Sequence, residues 1–269
     1  MTSTWEITAE VGKLPSLHNP ILVEGLPGIG NVGKIAVDFL IDEIKAQKLY
    51  SFFSHRFPHS VFVNEQNLVE MPKLEMYYKK FNGGGKRRDL IFLTGDIQPI
   101  DEESCYSFCE EVLKILKHFQ CSEMVTTGGI GLRTIPERPR VFCTANNAVL
   151  LKEYTAKELA VEKQIFGVVG PVVGVSGVLL GLGKKRGING VSLLAETFAH
   201  PMYFGIKGAK EILRVLDAKL QLHMDLKKMH KEIIAVEKDL LKKTNEWLAE
   251  MGSTHAGAKA KEHEATYIG

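Results

Sequence analysis

The stretch ILVEGLPGIGNVGKIAVDFLIDEI, residues 21–44, decides the fold. Its first residues form a short apolar run that ends in glycine and proline, which is typical of a buried strand that stops at a turn. The residues from about Val32 to Lys45 then carry apolar side chains at the spacing of a helix. A strand, a glycine turn and a helix in this order indicate the first unit of an α/β fold.

Beyond this unit, predicted strands and helices alternate over about 200 residues. Apolar runs near residues 50, 62, 76, 92, 125, 143 and 192 predict strands, and the turn NGGGKRR at residues 82–88 predicts a hairpin. Asp101 is the predicted N-cap of one helix, and a second helix is predicted from about Asn147 to Leu159. The fold class is therefore three-layer α/β with a mixed, largely parallel sheet.

Composition and charge exclude several classes of protein. The chain has 269 residues, 45% of them hydrophobic and 25% charged, with a net charge of +2, so nucleic-acid and membrane-surface partners are not expected. The glycine-rich run from Ile165 to Gly183 favours a buried strand, a loop and a helix start over a membrane span. No secretory signal is visible, and the cysteines lack metal-ligand spacing. We expect a soluble cytoplasmic protein without a metal or cofactor.

The glycine turn satisfies two nucleotide motifs in part. Gly28, Gly30 and Gly33 form G-x-G-x-x-G, and Gly28 to Lys34 form most of a P-loop. The dinucleotide motif also needs an acid about 20 residues later, which the run LYSFFSHRF lacks. The P-loop needs Ser or Thr after its lysine, and Ile35 stands there. These residues predict a tight turn, and binding of a phosphate or carboxylate of another ligand stays an alternative.

No catalytic set is recognisable. The sequence contains neither G-x-S-x-G nor H-E-x-x-H. Carboxylates could face one cleft at the strand ends, namely Asp96, Glu102, Glu103 and Glu196. The histidines are scattered singly. We therefore expect an enzyme-like scaffold that is not an enzyme.

The C-terminal part of the chain has a different composition and residue pattern. Beyond about Lys207, glycine and proline are nearly absent for some forty residues, and apolar residues recur at steps of four and three. This heptad seam predicts a long helix that pairs with another helix, within the chain or in another subunit, as in a coiled coil. A surface helix packed on its own domain is the alternative. The seam residues are Leu222, Leu226, Met229, Ile233, Val236, Leu240 and Trp247.

The last residues, GSTHAGAKAKEHEATYIG, are too polar to order themselves, so a flexible tail is expected. The tail ends in Tyr267, Ile268 and Gly269, which resembles a docking tip on a polar tether. The predicted division is an α/β core at 1–206, a helical extension at 207–251 and a tail at 252–269.

Several motifs in one order resemble the proteasome assembly chaperone 2 family, in its archaeal branch. They are LVEGLPGIGNVGKIAVDFLIDEI, DLIFLTGDIQP, VTTGGIG and GPVVGVSGVLLGLGKKRGINGVSLLAET, and the match covers about residues 15–215. The resemblance implies a fold similar to the purine nucleoside phosphorylase type without its activity, and self-assembly into rings or small homo-oligomers. It also implies, for some archaeal members, a role in assembly of the proteasome α-ring, with docking through a C-terminal hydrophobic–Tyr–any motif.

The tail departs from that docking motif because Tyr267 is third from the end rather than second. The helical extension resembles instead the archaeal homologue of type A. We therefore expect a homo-oligomeric, chaperone-like scaffold related to proteasome assembly, which binds proteasome α-subunits or a second scaffold protein. The alternative is an enzyme or sensor that binds a nucleotide or carboxylate at Gly28, Gly30, Gly33 and Lys34.

Overall fold

The computed structural model describes residues 4–81, 88–167, 170–201 and 203–225. The strands in this part of the chain are β1 Glu6–Ala9, β2 Ile21–Gly25, β3 Gln47–Phe53, β4 Phe62–Val63, β5 Val69–Glu70, β6 Leu74–Lys79, β7 Leu90–Gly95, β8 Glu123–Leu132, β9 Val141–Ala145 and β10 Asn189–Phe198. The α-helices are α1 Val32–Glu43, α2 Glu102–His118, α3 Ala148–Tyr154, α4 Val175–Lys185 and α5 Ile206–Leu220.

Within the described residues, eight strands form one mixed sheet in the order β1-β3-β6-β7-β2-β8-β10-β9. The four central strands β7, β2, β8 and β10 are parallel, and the outer strands pair antiparallel. The predicted mixed α/β fold is confirmed, although the parallel order is confined to the centre of the sheet. The short strands β4 and β5 form a separate two-stranded ribbon.

Helices cover both faces of the central sheet. One face of β2 turns towards α1, since a Cβ atom added to Gly25 would meet the Val37 side chain. The opposite face turns towards α4, because Ser176 donates a hydrogen bond to the Glu24 carboxylate. Helices α2 and α4 enclose the main hydrophobic core with side chains such as Leu22 and Phe108. This is the predicted three-layer arrangement around a sheet.

Local sequence signals explain where several elements begin and end. Asp101 caps α2 as predicted, and its carboxylate accepts a hydrogen bond of 2.8 Å from the Ser104 N–H. The helix predicted from Asn147 to Leu159 stops earlier, at Tyr154, and a single 3₁₀ turn follows at Lys157–Leu159. The strand predicted just after Ile165 is not a regular element in the described residues there, where Glu162 and Phe166 form isolated bridges.

Helix α5 belongs to the compact core, where its apolar side packs against α1 and β10. It ends at Leu220, because Gln221 adopts a left-handed backbone conformation. Leu222 therefore lies beyond the end of this helix, in a segment without regular structure. Residues 207–220 of the predicted extension thus belong to the compact core. The other seam residues and the tail lie outside the described residues, so the part of the extension beyond residue 225 and the tail at 252–269 stay predictions.

No helix in the described ranges has both the length and the apolar character that a membrane crossing requires.

Candidate functional site

A cleft of about 720 Å³ opens at the carboxyl ends of the parallel strands. In open α/β sheets this edge is where ligands bind, and ligand pockets commonly measure about 300–1,000 Å³. Four segments line the cleft: the turn after β2, the loop after β7, the end of β8 and the loop that leads into α4, which contribute residues 26–33, 98–100, 127–131 and 170–176 respectively. The glycine turn at residues 26–33 therefore forms one wall of this cleft.

Close packing explains why glycine is required at two of the three motif positions. A Cβ atom on Gly33 would lie 2.5 Å from the Thr127 carbonyl oxygen, so only glycine lets α1 approach β8 this closely. Gly30 has a φ of +62°, and a Cβ there would lie 2.7 Å from the Thr197 hydroxyl oxygen. Gly28 differs, because its backbone is extended and nothing lies within 4 Å of an added Cβ. Gly28 lines the cleft.

Lys34 does not reach the cleft. Its ammonium group lies 2.9 Å from an Asp38 carboxylate oxygen, one helical turn away, and 3.7 Å from Asp96. A P-loop lysine contacts phosphate groups directly. No lysine or arginine is among the described residues that line the cleft. The described lining thus offers no cationic side chain to nucleotide phosphates.

The carboxylates considered in the sequence do not meet in the cleft either. Glu196 is held by Arg140, whose guanidinium lies 2.5 Å from it, and Glu103 pairs with Arg56 at 2.9 Å. None of the four carboxylates lines the cleft. The four carboxylates of the sequence analysis therefore provide no acid–base pair at this site.

A different carboxyl group, that of Glu24, lies buried beneath the cleft. The Ser176 hydroxyl donates to its two oxygens at 2.9 and 3.2 Å, and the Leu26 N–H donates to one of them at 3.2 Å. Burial raises the pKa of Glu24 to about 7, although these hydrogen bonds favour the charged form. Ser176 itself lines the cleft, so this pair connects the core to the cleft floor.

Glu24 starts a row of polar side chains across the sheet. Thr126 is its partner on β8, and Ser192 is the partner of Thr126 on β10. All three are fully buried, and among the described residues neither of the two hydroxyls has a hydrogen-bond partner. Sequence reasoning missed this row, although the single acid in the apolar run ILVEG was a visible signal.

Gln98 joins two walls of the cleft. Its side-chain nitrogen donates to the Pro27 carbonyl, and its side-chain oxygen accepts a hydrogen bond of 3.1 Å from the Val175 N–H at the start of α4. Gly174 is needed here, since it has a φ of +82° and a Cβ would lie 2.5 Å from that oxygen. This contact fixes the glycine turn relative to α4. Sequence reasoning did not single out Gln98.

The chemistry of the cleft is apolar and uncharged. Its side chains are mostly aliphatic, with Gln98, Thr127 and Ser176 as polar exceptions. Ser176 has no histidine beside it in the lining, and a buried carboxyl with a pKa of about 7 is its hydrogen-bond acceptor. This arrangement fits a neutral, largely apolar group better than a charged substrate.

Comparison with known proteins assigns the chain to a family. The model of the PAC2 family matches residues 22–243. A protein of Methanocaldococcus jannaschii described as uncharacterized is 26% identical over 264 residues, which cover 98% of this chain and 97% of that protein.

Solved structures from Pyrococcus furiosus have the same fold. PbaB, described as an archaeal proteasome activator, is 33% identical with a TM-score of 0.80, covering 90% of this chain and 99% of that one. PbaA, described as an archaeal homolog of proteasome-assembly chaperone, is 24% identical with a TM-score of 0.70, covering 93% and 95%. The chain is thus more similar to PbaB than to PbaA, whereas the predicted helical extension had indicated the homologue of type A.

Proposed function

The chain belongs to the PAC2 family, and on that premise we propose that it is a non-enzymatic, homo-oligomeric scaffold that binds other proteins in proteasome assembly. The observation that carries the proposal is the 33% identity, over 90% of the chain, to an archaeal proteasome activator. Proteasome α-subunits are the expected partner, and a second scaffold protein is the other candidate.

The surface at the strand ends supports a protein partner. Ile29, Ile100 and Val173 line the cleft and are 50%, 76% and 79% exposed. Contiguous exposed apolar side chains commonly mark a protein interaction site. The uncharged lining also argues against a nucleotide-dependent activity, because phosphates would find no cationic partner there.

A binding experiment with archaeal proteasome α-subunits tests the proposal. The full chain is expected to retain assembled α-subunits on an affinity resin, and a chain of residues 1–259 tells whether the tail makes the contact. Tyr267→Ala is the sharper variant, with Thr266→Ala as its matched control. Absence of binding by the full chain, at concentrations up to about 100 μM, would contradict a proteasome-related role.

The native mass tests the homo-oligomer separately. Light scattering coupled to size-exclusion chromatography is expected to give a discrete multiple of the 29.9 kDa chain. A monomer at micromolar concentration contradicts this part of the proposal and leaves the binding of α-subunits to be judged on its own.

A small neutral ligand in the cleft is the second candidate function. The specific observation in its favour is the Glu24–Ser176 pair beneath an apolar cleft of ligand size. Calorimetry with nucleosides, which are uncharged, tests it, and binding tighter than about 100 μM would support it, whereas ATP and NAD are expected not to bind because of their charged phosphates. Gly28→Val is the informative variant because it fills the cleft without backbone strain, and Gly12→Val, where an added Cβ also meets open space, is its control.

A further inference from the structure

The two-stranded ribbon at residues 61–71, here called the apolar hairpin, stands apart from the main sheet. In the described part of the chain, β4 and β5 pair only with each other. The hairpin carries six large apolar residues that are 46–71% exposed. They are Val61, Phe62, Val63, Leu68, Val69 and Met71. A soluble monomer rarely exposes so many large apolar side chains in one patch.

The turn of this hairpin is held by hydrogen bonds. The Asn64 side-chain oxygen accepts from the N–H groups of Gln66 and Leu68, each at 3.0 Å. The Asn64 N–H donates to the Leu68 carbonyl at 2.9 Å, and its side-chain nitrogen donates to Glu70 at 2.9 Å. An isolated two-stranded hairpin is only marginally stable in water, and these hydrogen bonds add to its stability. They hold the hairpin in a fixed shape while its apolar side chains remain exposed. A pre-formed element loses less entropy when it binds.

The size of the surface suits association between two chains. With about 150–200 Å² for a fully exposed side chain of this size, the six residues expose on the order of 600 Å². That is the upper end of the largest apolar patch on a typical monomer. Two such hairpins together reach about 1,200 Å², the lower limit of a stable protein interface.

A groove of about 420 Å³ begins where the hairpin ends. Glu70 and Met71 belong to both, and Phe52, Phe53, Pro72 and Leu74 add apolar lining to the groove. Hairpin and groove are therefore one continuous surface with a protruding part and a hollow part. A two-fold axis between the hairpin and the groove would bring each hairpin against the partner's groove.

The charges of the groove favour an uncharged occupant. Lys48 pairs with Glu75, and Lys73 pairs with Glu70, so every charged side chain in the lining has an opposite charge beside it. Two identical copies of a neutral surface do not repel each other, whereas a strongly charged partner would find no complementary field.

We propose that residues 61–71 and the adjoining groove form a self-association surface, in which a second copy of this chain inserts its hairpin into the groove and receives the first hairpin in return. This inference rests on the homo-oligomer of the proposed function and names one surface that contributes to it. It involves neither the seam at 222–247 nor the tail.

The first test is the double variant Val63→Lys with Val69→Glu. These residues are direct cross-strand partners, so opposite charges preserve the hairpin while making its surface polar. The full-length variant is expected to have a lower native mass than the unaltered chain, with self-association weakened at least about 30-fold. Val149→Lys with Ile135→Glu changes two exposed apolar residues elsewhere and is expected to leave the mass unchanged.

Cross-linking provides a second readout that does not depend on a charged variant. The four native cysteines are buried, so a cysteine introduced on the hairpin is selectively reactive. A mixture of Val63→Cys and Pro72→Cys chains is expected to give a covalent dimer with a short bismaleimide, and Val149→Cys mixed with Pro72→Cys is not.

The outcomes separate this inference from the proposed function. An oligomer whose mass the hairpin variant leaves unchanged overturns the inference and leaves the homo-oligomer standing. If the hairpin variant keeps its native mass but no longer binds α-subunits, the inference is also overturned, because the hairpin then contacts another protein rather than a second copy of this chain. A monomeric unaltered chain overturns both. Absence of the cross-linked dimer from an oligomeric mixture overturns the inference alone.

Discussion

Replacing Glu24 by Gln removes the one buried carboxyl group beneath the cleft while keeping an acceptor for the Ser176 hydroxyl. The pKa of Glu24 is raised from 4.5 to about 7, chiefly because burial disfavours the charged form. The folded chain therefore binds a proton that the unfolded chain has released between these two pH values. By linkage, this group's contribution to stability is complete below about pH 4.5 and is lost as the pH rises through about 7.

The magnitude follows from the shift in pKa. A difference of about 2.5 units at about 1.4 kcal/mol each amounts to about 3 kcal/mol in the free energy of unfolding. Glutamine is neutral at every pH. Relative to the unaltered chain, Glu24→Gln is therefore expected to gain about 3 kcal/mol of stability between pH 4.5 and pH 8.5.

Urea unfolding followed by circular dichroism at pH 4.5, 6, 7 and 8.5 measures this difference, and subtraction cancels the other titrating groups. Glu6→Gln is the control, because Glu6 is an exposed residue of β1. Ser176→Ala is expected to enlarge the pH dependence, since the lost hydrogen bond favours the charged form of Glu24. A difference between Glu24→Gln and the unaltered chain that is constant with pH would refute the reasoning.

Three further predictions concern the turn, a helix cap and the seam. Gly33→Ala is expected to lower stability by about 2–4 kcal/mol in thermal melts, because its Cβ would collide with β8, while Gly28→Ala changes it by less than about 1 kcal/mol. Asp101→Ala is expected to cost about 1 kcal/mol through the lost N-cap, and an equally unstable Asp101→Asn, which retains a capping oxygen, would contradict that cause. Changing Ile233 and Val236 to Asp is expected to lower both the native mass and the melting temperature. If the seam is dry, the free energy of association falls by several kcal/mol, because unpaired charges are buried there. No change in either the mass or the melting temperature would disprove the seam.

Sequence reasoning predicted the elements whose signals are local. The strand, turn and helix at residues 21–44 are found as β2 and α1, since apolar spacing and glycine placement act over a few residues. The cap at Asp101 is found for the same reason. The parallel centre of the sheet followed from the alternation of strands and helices, and its mixed character followed from the hairpins predicted at residues 50–95.

The features that sequence reasoning missed depend on contacts between distant segments. The Ser176 hydroxyl reaches Glu24 across 152 residues of sequence, and Gln98 bridges Pro27 and Val175. No periodicity within one segment encodes such pairs. The run near Phe62 predicted a strand, but its pairing partner was needed to place that strand in a separate ribbon rather than in the main sheet.

The position of β2 has a consequence for how the chain folds as it is made. All five residues of β2 are buried, and its neighbours β7 and β8 begin at residues 90 and 123. Strand β10, which completes the parallel centre beside β8, begins only at residue 189. A sheet built from such non-local pairings closes slowly, because long loops must be ordered before their contacts form. The nascent chain thus carries an apolar strand that lacks at least one of its two neighbours until residue 132 has been synthesised, and we expect it to be most prone to aggregate in this interval.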